Sequence, residues 1–145
     1  MRRKLAALLL CLLLLLCTAC GGRTQNDTGD LRCTVRIECA TVLGHMDDLN
    51  PGKAELIPSD GVLLPETEVT FSEGDTVFDV LQRVCRAQGI HMESNWTPAY
   101  NSAYIEGIGN LYEFDCGNLS GWMYSVNGVW PDYGCSSCTL HDGDT

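Results

Sequence analysis

Alternating apolar and polar residues predict two strands in the first half of the chain. From Cys33 to Cys39 every second side chain is apolar, which is the period of a half-buried strand, and we expect this strand over residues 33–42. A shorter stretch with the same period covers residues 66–71. The intervening residues 44–65 are rich in turn-forming residues, so irregular structure is expected there, with one helical turn near residues 53–56.

The apolar period then changes from two to the spacing of a helix. This pattern predicts a helix with one apolar face. Asp75 or Thr76 is placed to cap its first turn, and Gly89 is placed to end it in a left-handed conformation. The apolar residues that recur at helical spacing are Val77, Val80, Leu81, Val84 and Cys85.

Residues 121–134 predict a β-hairpin. Asn127 and Gly128 form the Asn-Gly pair that suits a two-residue turn, because both turn positions require positive φ. Alternation along the strands then places Trp122 and Tyr124 on one face, where core packing is expected. Trp130 falls on the opposite face, where we expect it to be exposed.

The order of predicted elements indicates an α+β fold. Short extended stretches are expected at residues 90–95, 103–108 and 111–115, with a loop at 96–102. One helix packed across a mixed sheet accounts for this order, and a β-grasp-like topology is the version that we favour. No repeat or second domain is predicted.

The first 19 residues predict an export signal. Arg2, Arg3 and Lys4 precede a leucine-rich run that is too short to span a bilayer. The run ends in a small-residue segment before Cys20 that resembles a bacterial lipoprotein signal, in which Cys20 is lipidated. Residues 20–30 would then be a flexible tether that holds the domain at the outer face of the cell membrane. Ordinary cleavage, which gives a secreted protein, is the alternative.

The charge of the exported chain argues against a nucleic-acid partner. Removing residues 1–19 leaves six Lys and Arg against 19 Asp and Glu, a net charge of −13. A surface this acidic repels phosphate backbones. Contact with a membrane is expected through the lipid anchor only.

Six cysteines remain after Cys20, an even number in an exported domain, which predicts a disulfide-stapled fold. Cys116 and Cys135 bracket the hairpin, and a bridge between them would stabilise the domain by about 3 kcal/mol. A bridge between Cys39 and Cys85 would join the first strand to the helix. The sequence does not rank the remaining connectivities, which involve Cys33 and Cys138.

Candidate catalytic chemistry is sparse in this sequence. Cys135 and Cys138 have the spacing of a Cys-x-x-Cys motif, and with Cys116 and His141 they could be drawn as a zinc site. The exported setting favours disulfides instead, so no metal is expected. No nucleophile lies in a recognisable catalytic motif, so neither enzyme activity nor a required cofactor is predicted.

Four stretches together resemble a known family. They are residues 73–81, Tyr104 with Ile105, the run Gly-Trp-Met-Tyr-Ser-Val-Asn-Gly at 121–128, and Asp-Gly-Asp at 142–144. They look like the domain-of-unknown-function family related to the C-terminal domain of transcobalamin. The resemblance covers residues 31–145 and implies a β-grasp fold that binds a soluble ligand. Because the family usually continues into a final strand after this Gly-Asp, the domain is expected to be truncated at its C-terminus.

The resemblance also implies a ligand and a site. The ligand would be cobalamin, another corrinoid or another planar compound, since flat aromatic side chains pack well against planar molecules. For Trp122 and Tyr124 the alternative role is core packing, and for Asn127 it is the turn itself. The candidate contacts are Trp130, Tyr133, Trp122, Tyr124 and Asn127.

Two functions therefore stay open at the level of sequence. The first is a membrane-tethered, non-catalytic module that binds a small planar ligand. The second is a module that binds a cell-surface protein or the cell wall, through the Trp130 face or the 44–65 loop, without a small-molecule ligand.

Overall fold

The computed structural model describes residues 31–145 and begins with an antiparallel pair of strands. Strand β1 (Leu31–Glu38) pairs with β2 (Val62–Phe71) along its whole length. Both strands were predicted, but β1 ends four residues earlier than expected and β2 begins four residues earlier. The chain turns at Cys39 into a 3-10 helix, Ala40–Gly44.

The close approach of Gly61 to Ala40 fixes this turn. Gly61 has φ +70°, and a Cβ atom there would lie 2.4 Å from the Cα atom of Ala40. Only glycine fits such a contact, because any side chain would collide with backbone. The rest of the long connection is irregular as predicted, and its expected helical turn is a 3-10 helix, Pro51–Leu56.

The helix α1 (Val77–Gln88) is capped as the sequence predicts. The Thr76 hydroxyl accepts a hydrogen bond from the Asp79 backbone N–H, and the Asp79 carboxylate accepts one from the Thr76 N–H, so the two residues form a capping box. Gly89 ends the helix with φ +68°. The buried face of α1 consists of Val80, Val84 and Cys85.

A second antiparallel sheet follows the helix. Its strands are β3 (Met92–Thr97), β4 (Ser102–Ile108) and β5 (Leu111–Tyr112), in that order. The predicted loop at 96–102 is shorter than expected, because Trp96 and Thr97 still pair with Ala103 and Ser102.

The chain after β5 contains an Asn-Gly turn but no hairpin strands. Asn127 and Gly128 have φ +52° and +77°, and Val126 and Val129 exchange two backbone hydrogen bonds, as predicted. Only an isolated bridge joins the two sides, so the strands expected on either side of the turn do not pair beyond Val126 and Val129. One reason is Pro131, which has no N–H with which to continue the ladder.

The last residues return to both the helix and β1. The N–H of Val77 donates to Cys138 O at 2.9 Å, next to the first turn of α1. Further on, the N–H of Gly143 donates to Arg32 O at 2.7 Å, and the N–H of Thr34 donates to Asp144 O at 2.9 Å. The C-terminal segment therefore lies beside the first half of β1.

Two apolar clusters form the core. The first contains Leu140 together with residues from β1, β2, α1 and β4, namely Cys33, Ile37, Leu64, Phe71, Val80, Val84, Cys85 and Ile108. The second contains Cys39, Val42, Leu49 and Leu111. Trp122 packs against both clusters, so it joins the two parts of the core.

The α+β prediction is confirmed, with one main helix and antiparallel strands among residues 31–145. One detail is corrected: the strands form two antiparallel sheets rather than a single mixed sheet. The two sheets are separate because, within residues 31–145, neither β1 nor β2 pairs with a strand of the second sheet. The signal peptide, Cys20 and the tether lie outside the described residues.

The six cysteines after Cys20 are free thiols in this structure, so the predicted stapling is not seen. Cys39 and Cys85 lie in different apolar clusters. Cys116 packs on the second cluster, whereas Cys135 begins a 3-10 helix, Cys135–Ser137, that contacts α1 and β4. The pairing of these cysteines remains a prediction. Cysteines at the same apolar cluster are better placed to pair than cysteines at different clusters.

Candidate functional site: a groove beside strand β1

A groove of about 1200 Å³ runs along β1. The backbone and side chains of β1 form one wall, and the segment from Cys116 to Gly128 forms the opposite wall. Val80, Ile108 and Leu140 of the first core cluster lie at its base. The groove is therefore apolar at its base and flanked by polar backbone, a combination that suits a ligand with both kinds of surface.

Trp122 packs in the core and also lines the groove. Its side chain is half-buried against the two core clusters, and its indole Nε1–H donates to Leu111 O at 2.9 Å. The core packing predicted for Trp122 is confirmed. The residue also lines the groove, which gives the groove a rigid aromatic wall.

Tyr124 is half-buried and also lines the groove. Its hydroxyl donates to Tyr133 O at 2.9 Å. Burial raises the pKa of the Tyr124 hydroxyl far above its ordinary value, and the nearby Cys138 adds to this effect. The hydroxyl therefore stays protonated at physiological pH and serves as a fixed hydrogen-bond donor.

Trp130 lies at the rim of the groove and is 62% exposed, as predicted. Met123 and Leu119 lie along the same groove and are also strongly exposed. Exposure of three large apolar side chains along one groove to water is unfavourable, and such surfaces are typical of binding sites. We call Leu119, Met123 and Trp130 the apolar rim.

Asn127 bonds to Asp144 and Thr145 through both its side chain and its backbone. Its side-chain Nδ2 donates to Asp144 Oδ1 at 2.7 Å, and its Oδ1 accepts from the N–H of Thr145 at 3.0 Å. The backbone N–H of Asn127 donates to Thr145 O at 2.7 Å. The turn role is confirmed, and Asn127 does not line the groove.

Tyr133 is also outside the groove lining. It is about half exposed, and its hydroxyl lies 3.9 Å from the Cys138 sulfur. The hydrogen bond to Cys138 raises the pKa of the Tyr133 hydroxyl above its usual value. The structure thus brings Trp122, Tyr124 and Trp130 to the lining of one groove, whereas Asn127 and Tyr133 do not line it.

The charged residues along the groove are mostly acidic. Arg36 is the one arginine in the lining, and it is paired with Glu38 at 2.8 Å. Asp48, Glu66 and Asp144 also line the groove. The groove therefore has an excess of negative charge and favours ligands that carry positive charge.

Sequence reasoning missed the contribution of β1 to the site. Its alternating pattern reveals a strand but does not say which distant segments lie beside it to form the groove. Leu119 was missed as well, although an apolar residue between Asn118 and Ser120 in a turn is a weak signal for exposure.

The alternative zinc site is not assembled. Among residues 31–145, no group of three or more His, Cys, Asp or Glu side chains is placed to hold a metal ion. The Cys116 thiol donates instead to the backbone oxygen of His45, in the 44–65 loop, at 3.5 Å. Within the same residues, no helix combines the length and the apolar character that crossing a membrane requires.

Comparison with known proteins gives one match. Residues 74–145 match the family described as Domain of unknown function (DUF4430). This range begins just before α1 and includes Trp122, Tyr124 and Trp130. No curated protein and no solved structure matches the chain.

Proposed function

We propose that this protein is an exported, membrane-tethered and non-catalytic binding module, and that the groove beside β1 is its binding site. One observation carries the proposal: Trp122, Tyr124 and Trp130, selected from sequence as candidate contacts, line the same groove. Two of them are held by hydrogen bonds to backbone carbonyls, from Trp122 to Leu111 and from Tyr124 to Tyr133. A prearranged wall of this kind lowers the entropy cost of binding.

The first candidate ligand is cobalamin or another planar corrinoid. Two features support it: the resemblance to the transcobalamin C-terminal domain and the flat aromatic surfaces of Trp122 and Trp130. The volume of about 1200 Å³ exceeds the roughly 300 to 1,000 Å³ of ordinary small-molecule sites, which suits a large ligand. The tether and the lipid on Cys20 are inferred from the N-terminal sequence.

Calorimetric titration tests the corrinoid proposal. Cobalamin and cobinamide are each titrated into the purified protein, and binding in the micromolar range or tighter is expected for at least one of them. Calorimetry avoids the light absorption by corrinoids that complicates tryptophan fluorescence. Absence of heat with both compounds, at concentrations up to about 1 mM, rejects the corrinoid ligand.

The second candidate function is binding to a cell-surface protein or to the cell wall without a small ligand. The apolar rim supports it, because Leu119, Met123 and Trp130 are more exposed than a small-molecule site requires. Pull-down from cell-surface extract tests this function. A partner that is retained by the original protein and by Trp96→Ala, but lost with Trp130→Ala, would support it.

A further inference from the structure

The turn that carries the Cys-x-x-Cys motif has the backbone spacing of a disulfide. Cys135 begins its 3-10 helix, and the N–H of Cys138 donates to Cys135 O at 3.4 Å, which closes the turn. A 3-10 helix has three residues per turn and rises about 2 Å per residue, so side chains three positions apart lie on the same side, about 6 Å apart along the axis. Disulfides join residues whose Cα atoms are about 4.4 to 6.8 Å apart.

The two thiols also share one buried environment. Cys135 is 5% exposed and Cys138 is 8% exposed. Burial raises the pKa of the Cys135 thiol, and the nearby Cys138 raises it further. Both cysteines add to the effect of burial on the pKa of the Tyr124 hydroxyl, so all three groups lie close to one another. Neither cysteine lines the groove.

The first half of the turn is held against β4. Ser136 Oγ accepts a hydrogen bond from the N–H of Ala103 at 2.9 Å and lies 3.0 Å from the hydroxyl oxygen of Ser102. Gly134 packs so closely here that a Cβ atom on it would lie 1.7 Å from Ser102 Oγ. These contacts fix the position of the turn on the second sheet.

The second half of the turn meets the start of α1. The N–H of Val77 donates to Cys138 O at 2.9 Å, and an isolated β-bridge joins Thr139 to Thr76, the residue that caps the helix. The turn therefore connects β4 to α1, and its rigidity affects how firmly the C-terminal segment is held against the helix.

We propose that Cys135 and Cys138 form a disulfide under oxidising conditions, and that this bond holds the C-terminal segment more firmly against α1. The two thiols give up two protons and two electrons to a disulfide oxidant, such as glutathione disulfide. One S–S bond forms within the turn, and the S–S bond of the oxidant breaks to give two thiols. The bond is separate from the groove and does not depend on what the groove binds.

Burial determines the kind of bridge that forms. A thiol with a raised pKa is mostly protonated at neutral pH and therefore exchanges slowly. Within the buried turn the bond is also shielded from attacking thiolates. The pair is thus suited to a stable bridge, unlike the Cys-x-x-Cys motifs of oxidoreductases, in which a lowered thiol pKa supports rapid exchange.

Peptide mapping without reduction tests the bond. The full-length protein is refolded in a buffer of glutathione and glutathione disulfide, unfolded at acidic pH, alkylated with N-ethylmaleimide and cleaved with chymotrypsin. Cleavage after Tyr133 and Leu140 gives a peptide that contains both cysteines of the motif and no other cysteine. We expect this peptide to be unalkylated and two hydrogen atoms lighter than its dithiol form. Alkylation of either cysteine, or linkage to a second peptide, overturns the bridge.

Two serine variants are matched controls for the mapping. In Cys138→Ser, Cys135 has lost the proposed partner and is expected to be alkylated. In Cys116→Ser, which removes the partner predicted for Cys135 from sequence, the peptide is expected to remain unalkylated. Alkylation of Cys135 in Cys116→Ser would indicate that Cys116 is its partner and would overturn the proposal.

Amide hydrogen exchange tests the effect on the C-terminal segment. The Val77 amide, which bonds to Cys138 O, is expected to exchange at least about threefold more slowly in the bridged protein than in the reduced protein. The Gly89 amide, at the other end of α1, serves as the control and is expected to change by less than about 1.5-fold. The comparison uses Cys116→Ser, so that a bridge to Cys116 does not contribute. Equal slowing of both amides, or no slowing at Val77, overturns the proposed effect.

Discussion

At the scale of single residues, Asn127 shows how a turn residue becomes a connection between distant segments. The Asn-Gly pair requires positive φ, which the sequence identified, but the asparagine side chain also bonds to Asp144 and Thr145. Asp144 is 8% exposed, so its carboxylate depends on such partners. The turn therefore fixes the C-terminal segment against β1.

Replacement of Asn127 separates these two contributions. Asn127→Ala is expected to lower the free energy of unfolding by about 2 to 3 kcal/mol, because it combines left-handed strain with a lost partner for a buried carboxylate. Asn101→Ala is the matched control, since Asn101 also has positive φ, 46°, in an exposed turn. The control should cost about 1 kcal/mol. Equal losses in urea denaturation would contradict a connecting role for Asn127.

At the scale of elements, local patterns predicted those parts of the fold that local interactions determine. The helix, its Thr76 cap and its Gly89 end followed from spacing and capping chemistry alone. The predicted hairpin strands do not form, because Pro131 has no N–H with which to extend the ladder beyond Val126 and Val129. The groove beside β1 could not be predicted, because residues distant in sequence from β1 form its other walls.

The cysteine pairing could not be predicted reliably from sequence either, because it depends on tertiary packing. The structure places Cys39 and Cys116 at the second apolar cluster, away from Cys85 in the first. In oxidised protein we therefore expect a peptide that joins Cys39 to Cys116, rather than the Cys39–Cys85 and Cys116–Cys135 bridges predicted from sequence. Non-reducing peptide mapping measures this, and recovery of either sequence-predicted bridge would contradict the cluster argument.

At the scale of the whole molecule, buried thiols link stability to pH in the reduced protein. Burial raises the pKa of the Cys85 thiol from 9.0 to about 11. The unfolded chain releases this proton near pH 9, whereas the folded chain keeps it until about pH 11. Stability is thus fully present below pH 9 and is lost as the pH rises toward 11.

The expected loss from Cys85 is about 3 kcal/mol across this range. Cys33, Cys39 and Cys135 shift in the same direction through burial. Cys85→Ala is therefore expected to reduce the slope of unfolding free energy against pH without abolishing it. Denaturant unfolding at several pH values under reducing conditions measures the slope, and identical slopes for both proteins would contradict the assignment to Cys85.

The groove arises only when the whole molecule is assembled, since β1, the core and the 116–128 segment each provide part of it. Two exposed tryptophans allow a direct test: Trp130 lines the groove, whereas Trp96 on β3 does not. The measurement is the dissociation constant of a bound corrinoid for Trp130→Ala and Trp96→Ala. The account predicts at least about tenfold weaker binding for Trp130→Ala and less than about a twofold change for Trp96→Ala. Equal effects of the two substitutions would contradict the groove as the binding site.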